Sequence, residues 1–241
     1  MGAYIGLMSG TSLDAIDAVV ADFDNGVHIA ATLEQPFPPK LRHQLQALIS
    51  APGAVNLDEL GHIDRDLATA YADTVHTLLD SAGIAAADIG AIGCHGQTVR
   101  HQPDGPSGFS MQLGNGAALA TATGIAVVND FRSADIALGG QGAPLVPAFH
   151  REVFGSAATD RTIVNIGGIA NITLLPAAGE VSGYDTGPGN TLLDLWCAQH
   201  LGKPHDADGA WAAGAEPDAA LLETLLADSY FAADALFVLI L

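Results

Sequence analysis

Basic residues are scarce: eight Lys and Arg stand against 27 Asp and Glu in 241 residues, a formal net charge of −19. Binding a phosphate backbone takes Lys and Arg, so nucleic acid and anionic membrane surfaces are not expected partners. The same field opposes any polyanionic ligand, so a phosphate group could be held only by backbone amides and a divalent cation, with few lysines to help. Cysteine is nearly absent too. Cys94 and Cys197 are the only two, which indicates no disulfide framework and makes a reducing cytoplasm the expected compartment. No basic n-region or long apolar stretch opens the chain, so export is not expected. The late run 235–241 (ALFVLIL) is far too short to span a bilayer.

What is present is globular: 49% of residues are hydrophobic and 15% charged, at a length that allows one large domain or two modest ones. Residues 4–8 read as a strand, 9–12 as a tight turn of small hydroxylated residues, and 15–21 as the returning strand. Asn25-Gly26 is a turn signal before a third antiparallel strand at 27–33. Pro36, Pro38 and Pro39 mark a connector, after which Leu41, Leu45, Leu48 and Ile49 fall at helical spacing until Pro52-Gly53. The clearest helix covers 57–82, opened by Asn56 and Glu59 in capping-box register. Leu60, Ile63, Leu67, Tyr71, Val75, Leu78 and Leu79 form its apolar stripe. His62 and His76 belong to its surface, since no third ligand stands at metal spacing.

A short buried strand at 89–93 leads into GCHGQT, followed by an alanine-rich helix at 113–123 and a strand at 125–129 that ends on Asp130. Hairpin strands followed by alternating helices and strands indicate an α/β fold with mixed sheets. His95 and Asp130 then fall at strand C-termini, where such sheets gather active residues. The glycine-rich stretch 136–147 reads as irregular, a crossing between lobes. Residues 162–175 form a second hairpin that loosely repeats the first, which suggests two lobes of similar fold facing each other. Asp185 is expected in a turn just before a helix at 191–201 capped by Asn190. An ionised carboxylate there suits a general base; satisfying turn amides is the alternative.

The opening turn carries the most chemistry. Gly6 and Gly10 allow sharp turning or close approach, Ser9, Thr11 and Ser12 supply hydroxyls, and the amides of Gly10 to Ser12 can form an anion-binding concavity. Asp14 and Asp17 follow at once. Oxygen donors beside a phosphate cradle are what a magnesium-nucleotide site needs. A hairpin with a polar turn and two solvated carboxylates accounts for the same residues.

Five stretches together resemble one family. LMSGTSLDAID (7–17), IGCHGQTVRH (92–101), DFRSADIALGGQGAPLVPAFH (130–150), NIGGIANIT (165–173) and GYDTGPGNTLLDLW (183–196) are similar to the anhydro-N-acetylmuramic acid kinases, members of the actin/hexokinase-like sugar kinases. The resemblance implies a two-lobed actin-like (RNase H-like) fold with the active site between lobes. It implies a first lobe at 1–135 carrying the phosphate hairpin, a crossing segment at 136–160, and a partial second lobe at 161–241. Gly10, Thr11, Ser12, Leu13, Asp14, Ala15, Ile16 and Asp17 match the stretch that binds ATP phosphates, with Asp14 as the Mg²⁺ ligand.

Asp185 matches the catalytic aspartate, which would take a proton from the water attacking the anomeric carbon of 1,6-anhydro-N-acetylmuramic acid. O6 would then receive the γ-phosphoryl group, giving N-acetylmuramic acid 6-phosphate for cell-wall recycling. Gln97, Thr98 and Arg132 lie in matching motifs and are placed near the sugar. His95 is either a donor on the ligand side or a satisfied, partly buried histidine, and for Arg132 a surface ion pair is the alternative. The implied partners are the amino sugar and ATP, in the cytoplasm, with a second copy of the chain as a further candidate.

The chain departs from the family after Ser229-Tyr230-Phe231. Members continue there with Lys-Ser-Thr-Gly-Arg-Glu and later a Gly-rich stretch that helps hold the nucleotide. Residues 235–241 match nothing in the family and read as a shifted frame or a truncated gene, so apolar surface of the second lobe is expected to lie uncovered. Ala15 stands where many relatives carry Gly, a difference of one methyl group. Two other readings follow: a remnant that binds muramyl sugar or phosphate without turnover, and another actin-like sugar kinase.

Overall fold

The computed structural model describes residues 2–50 and 55–232. They divide into two units, one ending at Gly142 and the other beginning at Ala143.

The first unit is built on a mixed sheet. Strand β1 (Ala3–Ser9) pairs antiparallel with β2 (Ala15–Asp22), and β2 with β3 (His28–Pro36). Helices α1 (Pro39–Ser50) and α2 (Leu57–Ala82) follow. Strand β4 (Ile89–Gln102) then enters parallel to β1 on its free side. Its first half also pairs with the two-residue β6 (Val127–Val128), and its second half with the antiparallel β5 (Phe109–Leu113). Between β5 and β6 lies α3 (Gly116–Thr123), and α4 (Phe131–Ala137) follows β6.

Local chemistry explains α2 well. The Asn56 side chain accepts from the amides of Asp58 (2.8 Å) and Glu59 (3.3 Å), and Asp58 and Glu59 put negative charge on the first turn. Gly83 ends the helix in the left-handed region, its amide turned back to Asp80 and Leu79. Ile63, Leu67, Tyr71, Val75, Leu78 and Leu79 are buried as the stripe requires, against Ile5, Leu7, Ile16 and Val20 of the sheet. Each such side chain contributes about 1.5–3 kcal/mol by leaving water. His62 and His76 are exposed, as expected of surface residues.

The second unit is smaller in core. Helix α5 (Pro147–Phe154) precedes an antiparallel sheet of β7 (Arg161–Ile166), β8 (Ile169–Leu175) and β9 (Ser182–Pro188), in that order. Helices α6 (Asn190–Leu201) and α7 (Ala219–Leu226) follow. Among its described apolar side chains, Leu175 and Cys197 are buried, while Val164, Ile166, Leu193, Leu195 and Trp196 are more than half exposed.

The α/β class and the mixed sheet agree with the sequence reading, and several boundaries do not. Strand β4 does not stop at residue 93 but runs to Gln102, which leaves His95 inside a strand rather than at its end. Leu113 belongs to β5, so the alanine-rich helix starts at Gly116, and only Val127–Val128 of the strand expected at 125–129 is paired. Asp185 lies within β9, opposite Asn171 of β8, not in a turn. Gly189 rather than Asn190 caps α6, because the carbonyls of Gly167 and Gly168 already accept from the Asn190 (2.7 Å) and Thr191 (3.2 Å) amides. The helix stop at Pro52-Gly53 and the apolar tail 235–241 lie outside the described residues.

Candidate functional site

The turn between β1 and β2 is held from the inside. The Leu13 amide donates to the Gly10 carbonyl (3.1 Å), closing a four-residue turn. Leu13 sits at φ 56°, the left-handed region that costs a non-glycine residue about 1–3 kcal/mol. Its side chain is fully buried in the core, and its carbonyl accepts from Nε of Arg42 (2.9 Å). Nε2 of Gln97 on β4 reaches the Gly10 carbonyl as well (3.2 Å). Just below, the buried Ser9 hydroxyl and the Tyr71 phenol share a hydrogen bond of 2.7 Å. Burial pushes the Tyr71 phenol far above its ordinary range, so it stays protonated.

Eight residues of the motif therefore divide by face. Leu13, Ala15 and Ile16 are core, while Thr11, Ser12, Asp14 and Asp17 are exposed and Gly10 is half-buried. An exposed run of hydroxyls and backbone amides on an anchored turn suits a polyanion, because the donors need no reorganisation when it arrives. The Asp17 carboxyl is pushed up by partial burial, then by Glu34 facing it on β3, then by Asp14. Among the described residues no three His, Cys, Asp or Glu side chains gather to hold a metal. Mg²⁺ that keeps its waters and binds through substrate phosphates needs only one or two carboxylates. The exposed Asp14, beside the turn, fits that requirement.

A second cluster joins β4 to α4. His95 bonds the Gly96 carbonyl through Nδ1 (2.7 Å), which makes Nδ1 the protonated nitrogen and leaves Nε2 an acceptor. Arg132 donates to that Nε2 and also to the Gly142 carbonyl. Burial and the neighbouring guanidinium both hold the His95 imidazole below its usual range, so it is neutral near pH 7. Asp135 accepts from the Gly142 amide (2.6 Å), closing the same loop. Thr98 is engaged elsewhere, accepting from Nε2 of Gln112 (3.2 Å).

In the second unit, the Asp185 side chain is exposed and its carbonyl accepts from the Tyr230 hydroxyl (3.1 Å). Tyr230 is pushed up by partial burial and then by the charge of Asp185. His150 of α5 bonds the buried Thr173 hydroxyl (2.8 Å), tying α5 to β8.

The structure thus joins Gln97 directly to the 10–13 turn and Arg132 directly to His95. Sequence reasoning missed Arg42, Tyr71 and Tyr230. Arg42 had a signal, being one of only eight basic residues. Tyr71 did not, since it fits the apolar stripe of α2 as well as any core residue.

Residues 2–236 match the family model described as anhydro-N-acetylmuramic acid kinase. Curated proteins of that description are similar throughout. One from Nitrosospira multiformis is 51% identical over 229 residues, and one from Xanthomonas campestris pv. campestris is 48% identical over 233. Each alignment covers 95% of this chain but 62% of the relative. A Shewanella relative is 52% identical over 230 residues with the same coverage. The solved structure of the ethanolamine utilization protein EutJ from Carboxydothermus hydrogenoformans overlaps 84% of this chain at 17% identity, with a TM-score of 0.38. That overlap is too loose to bear on function.

Proposed function

The chain belongs to the anhydro-N-acetylmuramic acid kinase family, and from that premise we propose that it is an ATP-dependent kinase of actin-like fold acting on 1,6-anhydro-N-acetylmuramic acid. The observation that supports this reading best is the anchored turn of residues 10–14, whose exposed side is hydroxyl and amide while its buried side is tied to the core. It meets the demand set by a net charge of −19, that phosphate be held without lysines.

In this reading the Thr11 and Ser12 amides and hydroxyls bind the ATP phosphates, and Asp14 would hold Mg²⁺. The ion, when bound, neutralises charge on the transferring phosphoryl group. Asp185 takes a proton from water as the water oxygen bonds to the anomeric carbon. The bond from that carbon to O6 breaks. O6 attacks the γ-phosphorus, the bond to the β-phosphate oxygen breaks, and ADP leaves. N-acetylmuramic acid 6-phosphate is the product, and Asp185 returns its proton to solvent. Arg132 and Thr98 lie on the sugar side. His95, neutral and accepting from Arg132, fixes where that guanidinium points.

The test is ADP release by the purified chain with the anhydro sugar and Mg-ATP, with the 6-phosphate identified by mass. Asp185→Asn should lower the rate by about 10²–10⁴-fold while ATP binding survives. The thin core of the second unit favours a second reading, binding of muramyl sugar or phosphate without turnover. Saturable sugar binding with no ADP release selects that one. Turnover of glucose or glycerol in preference to the anhydro sugar removes both.

A further inference from the structure

Gln97 is wholly buried, yet it is polar and comes from the middle of a strand. Its Nε2 donates to two carbonyl oxygens, Gly10 at 3.2 Å and Thr98 at 3.3 Å. Two acceptors on one side fix which end of the amide faces them, so Nε2 cannot exchange places with Oε1. Oε1 is enclosed with no partner among the described residues. An enclosed side chain does not touch a sugar. Its one long-range bond instead runs to the turn, across 87 residues of sequence.

The consequence follows from the planar trans peptide. The carbonyl of Gly10 and the amide N–H of Thr11 belong to one unit and point in opposite directions. Gly10 O receives both Gln97 Nε2 and the Leu13 amide, which holds it toward the interior. The Thr11 N–H is thereby turned outward, onto the exposed side of the turn. Leu13 and Arg42 secure the far end of the turn, and at the near end the Leu13 amide and Gln97 Nε2 share the Gly10 carbonyl. We propose that Gln97 is a positioning residue that, by holding the Gly10 carbonyl inward, aims the Thr11 amide at a bound phosphate. The proposal rests on the reading of this turn as a phosphate site, and assigns Gln97 to the nucleotide rather than to the sugar.

Gln97→Met removes the donor at nearly constant shape. Two measurements on the full chain test it: amide hydrogen exchange at Leu13, whose N–H closes the turn, and the Kd of Mg-ATP. The expected result is faster exchange at Leu13 with unchanged protection at Ile5 and Ile92 in the adjoining strands. ATP binding should weaken roughly tenfold, the scale of one misaimed donor. Unchanged Leu13 exchange, or a rise of the same factor along β1 and β4, overturns the proposal, because Gln97 then only packs. Should Gln97→Met fail to fold, Gln97→Glu replaces it. Its carboxylate cannot donate to Gly10 O, whereas its protonated form can. Acidification should therefore restore Leu13 protection in that variant relative to wild type, and failure to do so counts against the proposal. If the wild-type chain binds no Mg-ATP but the exchange contrast holds, the nucleotide reading falls and the hold of Gln97 on the turn stands.

Discussion

Nε and Nη2 of Arg132 both donate to one atom, Nε2 of His95, at 3.1 and 2.8 Å. The pair is asymmetric in what it tolerates. Arg132 is always charged, so the contact exists only while His95 is neutral, and the protonated ring would both lose its acceptor and face a like charge.

That asymmetry sets a pH dependence. The folded His95 sits below its ordinary value of 6.5, through burial first and Arg132 second. Above 6.5 neither folded nor unfolded chain holds the proton, and the full contribution is present. As pH falls below 6.5 the unfolded chain takes a proton that the folded chain refuses, so stability drops until the lower folded value is passed. His95→Gln keeps an acceptor without the titration. Urea unfolding between about pH 7.5 and about pH 5 should show wild type losing more stability than His95→Gln. Parallel losses would remove His95 as the cause.

The buried pair Ser9 and Tyr71 calls for a double-mutant cycle. Tyr71→Phe leaves the Ser9 hydroxyl enclosed without its partner and should cost about 1–3 kcal/mol. Ser9→Ala in the Tyr71→Phe background should then recover part of that loss, because no polar group remains unpaired. Additive losses in denaturant melts would show that the two hydroxyls do not depend on each other.

Gly96, between His95 and Gln97, has φ +75°, and a Cβ there would lie 2.5 Å from the Leu113 carbonyl. Gly96→Ala should destabilise the chain by about 1–3 kcal/mol through strain and overpacking. It should also disturb the Gln97–Leu113 pairing of β4 with β5. An unaltered unfolding midpoint would refute this.

Leu192, Leu193, Leu195 and Trp196 on α6 are each more than half exposed, and so are Leu221, Leu222, Leu225 and Leu226 on α7. Apolar surface of this kind marks an interaction site or an aggregation liability. The purified chain should bind a hydrophobic dye and show concentration-dependent self-association by light scattering. Leu195→Lys with Trp196→Glu should reduce both signals without altering melting of the first unit. A dye-silent monomer at high concentration would contradict the exposure of these helices.

Features carried by neighbours in sequence were legible without coordinates. The stripe and Asn56 cap of α2, the 4–21 hairpin and the α/β class all rest on periods, caps and turns of short range. The motif 7–17 also placed hydroxyls and carboxylates together, because they are contiguous in the chain. Pairing partners left no such trace. Strand β4 continues past Gly93 because β5 is there to take its hydrogen bonds, and Asp185 lies in a strand because β8 supplies the other edge. Gln97 looked like a donor available to a ligand until burial, and a carbonyl 87 residues away, gave its amide a different use. Residue types and local order decided which elements form. Only packing at long range decided which polar atoms remain open to solvent, since a hydrogen bond between distant segments imposes no periodicity on either of them.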